Sequence, residues 1–232
     1  MRTISVAIPT YNRFEMVVEA VSWVMDDPRI TEIVICDDAS TDDSFEKLGV
    51  WAAANPKVKL FRNEKNLDCY ANKAQALRHA TNDWVVLFDS DNIMGKLYLE
   101  ALEKVSRWYD DCSYLPVFAE PYFDYREFEG QVINKSCVAR YMTNSTFCCA
   151  LNTANYLVHR QTYLSVWDPD VNPHTSDSIY MNYRLLEAGK CLLFVPGLSY
   201  VHRIHPQSHY VLNCYKTGGF AGEVERKLRA LK

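Results

Sequence analysis

The chain has 232 residues, of which 48% are hydrophobic, 13% aromatic and 23% charged. A chain of this length buries roughly 70–75% of its unfolded surface, which predicts a single domain with a sizeable core and excludes general disorder. Its 25 lysines and arginines face 29 acidic residues, a net charge of −4. Because no basic run occurs either, this balance argues against a dedicated nucleic-acid-binding protein.

The eight cysteines are scattered along the chain, apart from the neighbours Cys148 and Cys149, and they form no C-x-x-C pair. The local spacing typical of a zinc site is therefore absent. The first residues read as a short strand and a turn rather than as a secretory leader, so we expect free, buried thiols and a cytoplasmic, reducing location. No window approaches the ~20 apolar residues that a membrane span requires.

Apolar periodicity divides the first half of the chain into alternating strands and helices. The run WVVLF is apolar at every position, as expected of a strand covered on both faces. Strands are predicted at residues 4–8, 33–36, 58–61 and 84–88, and helices at about 14–25, 44–54, 69–80 and 96–108. This alternation predicts an α/β fold with right-handed crossovers and a mostly parallel sheet.

The second half of the chain is less regular. Residues 113–150 are rich in aromatic side chains and predict strands, with a hairpin around Glu129 and Gly130. Gly189 is a typical signal for the end of a helix. The other predicted elements are strands at residues 155–159 and 192–195 and helices at 177–188 and 222–232.

Three polar clusters follow the carboxyl ends of predicted strands. They are residues 10–13 after the first strand, Asp37 and Asp38 after the second, and residues 89–91 after the fourth. Ligands of open α/β sheets bind at this edge, so we expect the three clusters to form one site. Residues 40–43 are interpreted as the cap of the following helix.

Asp89 and Asp91 flank one residue at the end of a buried strand, and together they can reach a single hard cation. Mg²⁺ or Mn²⁺ held in this way completes its shell with water and phosphate oxygens, which predicts a diphosphate-bearing substrate. The first glycine of the chain is Gly49. The absence of an early glycine-rich loop argues against a dinucleotide-binding fold, a P-loop and the nucleotidyltransferases that use such a loop.

Six segments, in this order, resemble glycosyltransferase family 2, the inverting enzymes of the GT-A fold. They are IPTYNR at 8–13, VICDDASTDDS at 34–44, LFDSDN at 87–92, YLVHRQTYLSVWDPD at 156–170, LLEAGKCLLFVP at 185–196 and HRIHPQS at 202–208. The resemblance implies a Rossmann-like central sheet flanked by helices and a smaller mixed region on the acceptor side. It also implies one GT-A domain over residues 1–232, with a nucleotide-sugar-binding half at 1–110 and an acceptor-binding half at 111–232.

The resemblance also implies roles for individual residues of the donor site. Asp38 would accept a hydrogen bond from the base, whereas Asp37 would only orient its neighbour. Lys73 would reach a phosphate, although the match around it is loose, because Asp68 stands where the family has glycine. The residues implied to bind the nucleotide sugar are Pro9, Thr10, Tyr11, Arg13, Asp38, Asn66, Lys73, Asp89 and Ser90, and those implied to hold Mn²⁺ or Mg²⁺ are Asp89, Asp91 and His205.

Asp177 occupies the region of the family's general base. The family pattern there is Glu-Asp, whereas this chain has Ser176-Asp177, and the alternative is that Asp177 caps the following helix. His174 is a second candidate for the base. His202 is the alternative to His205 near the metal.

The predicted function is therefore metal-dependent, inverting transfer of a hexosyl or deoxyhexosyl group. The donor would be a nucleoside-diphosphate sugar, preferably a UDP-sugar, and the acceptor a hydroxyl group of a glycan or glycoconjugate. The expected partners are these two substrates, with no nucleic acid and with possible fusion to, or association with, other transferase domains. The alternatives are a sugar-phosphate nucleotidyltransferase and a non-catalytic nucleotide- or glycan-binding module.

Overall fold

The structure is a computed structural model that describes residues 2–217 and 219–232. Its strands are β1 (Ile4–Thr10), β2 (Ile30–Asp37), β3 (Val58–Arg62), β4 (Trp84–Leu87), β5 (Cys112–Leu115), β6 (Phe118–Glu120), β7 (Phe123–Asp124), β8 (Val132–Ile133), β9 (Tyr156–His159), β10 (Cys191–Phe194) and β11 (Ser199–Val201). Its helices are α1 (Phe14–Val21), α2 (Ser44–Ala54), α3 (Asp68–His79), α4 (Lys96–Lys104), α5 (Val138–Tyr141), α6 (Ser145–Leu151), α7 (Arg160–Val166), α8 (Asp177–Glu187), α9 (His209–Thr217) and α10 (Phe220–Ala230). Short 3₁₀ turns lie at Arg126–Phe128 and His174–Ser176.

The described residues form one large sheet and one small sheet. The large sheet has the order β3-β2-β1-β4-β9-β5-β10-β8. Strands β1 to β4 pair in parallel, whereas β9 lies antiparallel to both β4 and β5. The small sheet has the order β11-β6-β7 and contains one parallel and one antiparallel pairing. The predicted α/β fold, with a mostly parallel central sheet and a smaller mixed region, is confirmed.

The central strands are apolar throughout because both faces of the sheet are covered. Ala7 of β1 packs in the core that includes residues of α3 and α8, whereas Val6 and Ile8 pack in the core on the side of α1 and α4. Every residue of β1 is buried. Alternate side chains of β1 therefore pack into two cores, one on each face of the sheet, as the apolar runs predicted.

The elements predicted in the first half of the chain are confirmed, with changes at their ends. Helix α1 stops at Val21 and α4 at Lys104, each four residues before its predicted end. In both cases apolar side chains continue at helical spacing beyond the helix, and some of them pack in the core from the following loop. Val24 is one such side chain and is fully buried.

The prediction for residues 113–150 is wrong in two respects. No hairpin forms around Glu129 and Gly130, because β7 belongs to the small sheet and β8 pairs with β10 of the large one. Gly130 does adopt a left-handed conformation, with φ of +74°, so the turn signal is real although the flanking strands separate. Helices α5 and α6 also occupy a region where only strands were predicted.

The eight cysteines are unpaired, and all of them lie within the described part of the chain. Cys36 and Cys112 are buried, whereas Cys149 and Cys214 are exposed. The expectation of free thiols is confirmed, but the expectation that they are buried holds for only part of the set. Among the described residues, no helix is long and apolar enough to cross a bilayer.

Candidate active site

A cleft of about 1150 Å³ opens at the carboxyl ends of β1, β2 and β4. The three polar clusters meet in it, as expected for this edge of an α/β sheet. The second half of the chain contributes the opposite wall. The predicted site residues that line the cleft are Pro9, Thr10, Tyr11, Arg13, Asp38, Asn66, Lys73, Asp89, Ser90, Asp91 and Asp177.

Asp38 is held at the floor of the cleft directly after β2. Its backbone N–H donates to the carbonyl of Thr10 at 2.8 Å, which joins the ends of β1 and β2. Its carboxylate Oδ1 accepts from the Asn63 amide at 2.7 Å and from the Leu67 N–H at 2.9 Å. Burial raises the pKa of Asp38 above its ordinary value in spite of these donors. The side chain is therefore fixed in place at the position expected for a base-recognising carboxylate.

The neighbouring Asp37 points away from the cleft. Its carboxylate accepts from the N–H of Ser40 at 3.0 Å and lies 3.5 Å from the Arg62 guanidinium. It therefore stabilises the turn after β2, and the expectation that Asp37 orients Asp38 stays a prediction.

The first cluster forms the mouth and one side of the cleft. Tyr11 is 39% exposed, and its ring stands at the entrance. Asn12 adopts φ of +54°, a conformation that asparagine tolerates better than most residues. The following Arg13 extends across the cleft and forms an ion pair with Asp91 at 3.0 Å. The loop after β1 is thus tied directly to the loop after β4.

Lys73 joins the donor half of the site to the candidate base. Its ammonium nitrogen lies 3.2 Å from Asp89 Oδ1 and 2.7 Å from Asp177 Oδ2. Burial disfavours the charged lysine, but the carboxylates of Asp177 and Asp89 outweigh this effect and raise its pKa above the ordinary value. Lys73 therefore carries a buried positive charge between two acidic groups.

Asp177 is the first residue of α8, and its carboxylate contacts Lys73. The alternative interpretation, that Asp177 serves as a helix cap, is not what the structure shows, because Ser176 occupies the cap position. His174, the second candidate for the base, has its Nδ1 3.1 Å from Asp68 Oδ2. Asp177 is thus the candidate that faces the cleft beside Asp89.

The two carboxylates of the Asp89-Ser90-Asp91 cluster have different surroundings. Burial raises the pKa of Asp89 despite the nearby Lys73. Burial also opposes ionisation of Asp91, but Arg13 and His205 outweigh it and lower the pKa of Asp91 below its ordinary value. His205 Nε2 lies 3.2 Å from Asp91 Oδ2. Two carboxylates and an imidazole are ligand types that suit Mn²⁺. In the described part of the chain, however, Lys73 pairs with Asp89 and Arg13 with Asp91, and the ligand atoms of Asp89, Asp91 and His205 do not all lie within 4.8 Å of one another.

The structure also separates the two candidate histidines. His205 contacts Asp91, whereas the ring of His202 packs edge-on against Phe123 and Tyr200. Burial lowers the pKa of His202. The geometry therefore favours His205 as the histidine beside the acidic cluster.

Several residues of the site were missed by sequence reasoning. Arg203 donates to the backbone carbonyls of Ser90, Asp91 and Asn92, and Asn155 Oδ1 accepts from the Asp89 N–H at 2.7 Å. Both hold the acidic loop from the second half of the chain. The pattern around them gives no signal for this role, although Arg203 lies inside the HRIHPQS segment.

Comparisons with known proteins agree with this architecture. The model of glycosyl transferase family 2 matches residues 5–155. Glycosyltransferase GlyG of Streptococcus pneumoniae is 25% identical over 159 residues, which make up 68% of this chain and 50% of GlyG. Abequosyltransferase RfbV of Salmonella typhimurium is 34% identical over 104 residues, or 43% of this chain and 31% of RfbV. The chain thus matches half, or less, of the length of these relatives.

Solved structures share the fold at low sequence identity. Residues 1–349 of S. aureus TarS, in complex with UDP-GlcNAc, superpose with a TM-score of 0.73 at 17% identity, covering 97% of this chain and 65% of that one. Mannosyltransferase PcManGT of Pyrobaculum calidifontis, in complex with GDP-Man and Mn²⁺, gives a TM-score of 0.63 at 19% identity, covering 93% and 61%. With the family match over most of the chain, these findings establish that the protein belongs to glycosyl transferase family 2 and has a glycosyltransferase GT-A fold.

Proposed function

We propose that the protein transfers a hexosyl or deoxyhexosyl group, with inversion, from a nucleoside-diphosphate sugar to a hydroxyl group of a glycan or glycoconjugate. The observation that carries this proposal is the convergence of Asp38, Lys73, Asp89, Asp91 and Asp177 in one cleft. These side chains would supply a base-binding carboxylate, a buried cation, ligands for a divalent ion and a general base within one cleft.

The donor would lie across the ends of β1, β2 and β4. Pro9, Thr10, Tyr11 and Asn66 would surround the base and ribose, with Asp38 accepting a hydrogen bond from a ring N–H of the base. Uracil presents such a group, so a UDP-sugar is the preferred donor. The ligands of the structural neighbours, UDP-GlcNAc for TarS and GDP-Man with Mn²⁺ for PcManGT, support the donor class.

Asp89, Asp91 and His205 would hold Mn²⁺ or Mg²⁺, and Ser90 would contact the donor beside it. When bound, such an ion neutralises the negative charge that grows on the leaving diphosphate. Arg13 and His205 keep Asp91 ionised and in place for this role.

The second half of the chain, residues 111–232, would bind the acceptor and contribute the base. Asp177 would take the proton of the acceptor hydroxyl as its oxygen forms a bond to the anomeric carbon. The bond from that carbon to the diphosphate breaks on the opposite face, and the electron pair leaves with the diphosphate. Lys73 stays protonated beside this point and offers its charge to the departing phosphate. Acid–base help of this kind typically contributes about 10²–10⁴-fold in rate.

We also propose a cellular location and further partners. The free thiols support a reducing, cytoplasmic location. The partial coverage of the relatives supports association with, or fusion to, further transferase domains.

The proposal is tested by measuring thermal stability with UDP-, GDP-, dTDP- and CDP-sugars, each with and without Mn²⁺. Ligands stabilise a protein according to their affinity for its folded state, so the true donor should raise the melting temperature most, and Mn²⁺ should increase that rise. Asp91→Asn should abolish the Mn²⁺-dependent part, whereas Asp170→Asn, an exposed change, should retain it. Stabilisation by a sugar phosphate and a nucleoside triphosphate, with synthesis of a nucleotide sugar, would instead identify a nucleotidyltransferase. Donor binding with neither transfer nor hydrolysis would identify a binding module.

A further inference from the structure

A second group of side chains that could hold a metal ion lines the same cleft as Asp89 and Asp91. It consists of Asp68 and Cys69 at the start of α3 and His209 at the start of α9. Within the described residues, the ligand atoms of these three side chains lie within 4.8 Å of one another. His209 Nε2 is 3.3 Å from Cys69 Sγ and 3.4 Å from Asp68 Oδ1. Because Cys69 and His209 are 140 positions apart, no local spacing could have revealed the group.

The distances match the edges of a tetrahedral zinc site. Zinc lies about 2.3 Å from a cysteine sulfur and about 2.0 Å from a histidine nitrogen or carboxylate oxygen, so neighbouring ligand atoms are separated by about 3.3–3.5 Å. The two separations measured from His209 Nε2 fall in this range without any movement of the side chains. The contact of 3.4 Å between His209 Nε2 and Asp68 Oδ1 is long for an ordinary N–H···O hydrogen bond, whereas 3.3 Å is an ordinary N···S distance.

Two of the three ligands, Asp68 and His209, are also oriented by neighbours. The second carboxylate oxygen of Asp68, Oδ2, lies 3.1 Å from both the Asn172 amide and His174 Nδ1. The other ring nitrogen of His209, Nδ1, lies 3.3 Å from the Asn213 amide. Such partners fix the direction of metal ligands, and their loss typically lowers metal affinity.

The backbone at this place is also unusual. Asp68 and His174 adopt φ of +69° and +50°, which places two residues other than glycine in the left-handed region. Residues other than glycine in this region concentrate at functional sites, although aspartate and histidine adopt it more readily than most. The Asp68 carboxylate lies 3.1 Å from His174 Nδ1 and 3.4 Å from His209 Nε2.

We propose that Asp68, Cys69 and His209 bind a zinc-class divalent cation that is distinct from the ion of the donor site. A thiolate, an imidazole and a carboxylate select zinc over Mn²⁺ or Mg²⁺, which prefer oxygen ligands. All three residues line the cleft, so the fourth coordination position faces it and is open to water or to a substrate oxygen. The ion would join the start of α9 to the start of α3 at the acceptor end of the cleft.

Cobalt(II) is the probe for this site, because it replaces zinc in tetrahedral sites and gives a near-ultraviolet thiolate-to-cobalt charge-transfer band. The full chain, reduced and freed of metal, is titrated with Co²⁺ alone and then with Zn²⁺. We expect the band to saturate at one ion per chain and to disappear when Zn²⁺ displaces Co²⁺. Failure to observe the band in excess Co²⁺ would overturn the proposal.

Variants identify the ligands. Cys69→Ser should remove the band, and Asp68→Asn and His209→Gln should keep the thiol but weaken Co²⁺ binding at least about tenfold. Cys214→Ser, an exposed cysteine on α9, and Asp91→Asn, in the donor site, should both leave the band unchanged. A band that survives Cys69→Ser, or that is lost in Asp91→Asn, would contradict a separate site. Far-ultraviolet circular dichroism checks that each variant is folded, and the two variants that retain Cys69 test the site independently of that substitution.

Discussion

The ammonium nitrogen of Lys73 lies 2.7 Å from Oδ2 of Asp177, so a side chain of α3 holds the candidate base at the start of α8. The same nitrogen lies 3.2 Å from Asp89 Oδ1. One buried cation therefore balances the buried carboxylate of Asp177 and the partly buried carboxylate of Asp89, which lie in different halves of the chain. Because buried charges are costly unless they are paired, the folding of the chain and the charge arrangement of the cleft depend on the same three groups.

Removing the cation should destabilise the protein more than removing one of its partners. Lys73→Met leaves the buried Asp177 and the partly buried Asp89 without their shared cation, and we expect a loss of about 3 kcal/mol in the free energy of unfolding, measured by urea denaturation. Adding Asp177→Asn should restore part of this loss, because one of the unpaired charges is then absent. Lys65→Met, at an exposed lysine just before α3, is the matched control and should have little effect. Strict additivity of the two changes would show that the groups do not interact.

Asp177→Asn should separate donor binding from transfer. The amide cannot accept the acceptor proton as the carboxylate does, so kcat should fall by about 10²–10⁴-fold. The dissociation constant of UDP in the presence of Mn²⁺, measured by titration calorimetry, should stay within a few-fold of the wild-type value. Asp170→Asn, an exposed change in the preceding loop, controls for general effects. Wild-type turnover in Asp177→Asn would remove the residue from the mechanism.

Arg203 should act as a positioning residue for the acidic loop. It donates to three consecutive backbone carbonyls of residues 90–92 and also contacts Glu19 and the Met16 carbonyl on α1. Lysine keeps the positive charge, but its single ammonium group cannot reproduce the geometry with which the guanidinium donates to these carbonyls. We expect Arg203→Lys to weaken Mn²⁺-dependent UDP binding by about 10–100-fold, as changes in groups that support metal ligands do. UDP binding without metal should change little, and Arg226→Lys, an exposed substitution on α10, should change neither. Equal weakening with and without Mn²⁺ would argue against this role.

Glu32 should make the stability of the protein sensitive to acid. Burial raises its pKa, but hydrogen bonds from Lys59, Ser5 and Thr81 outweigh the burial and lower the pKa from 4.5 to about 2. A lowered pKa in the folded state means that the stabilisation is fully present above pH 4.5 and is lost as the pH falls towards 2. The difference corresponds to about 3 kcal/mol.

The free energy of unfolding should therefore decline between pH 5 and pH 2 more steeply in the wild type than in Glu32→Gln. Urea denaturation at several pH values measures this slope. Glu64→Gln, an exposed change, should keep the slope of the wild type. Identical slopes in all three proteins would show that Glu32 does not contribute.

The sequence predicts the donor side of the cleft well, because that side is built from local features. Apolar runs define the strands, and the polar residues that follow them, such as Asp38 and Asp89, must lie at one edge of a parallel sheet. The pairing of His205 with Asp91 also agrees with the order of the motifs.

The remaining parts of the site depend on contacts between residues that lie far apart in the sequence. Nothing near Arg203 or Asn155 in the sequence indicates that these side chains hold the acidic loop, because their partners lie more than sixty positions away. The group formed by Asp68, Cys69 and His209 escapes detection for the same reason. In the region of Gly130 the turn itself is correctly indicated, but the sheets to which the flanking strands belong are decided by tertiary packing.

The antiparallel strand β9 affects how fragments of the protein should behave in solution. It pairs with β4 along Val85, Val86 and Leu87, all of which are fully buried. A fragment ending near residue 110 would lack β9 and would leave the apolar strand β4 as an open sheet edge, which is a template for self-association. Residues 1–110 should therefore aggregate when expressed alone, and a monodisperse protein should be obtained only when the polypeptide extends past His159.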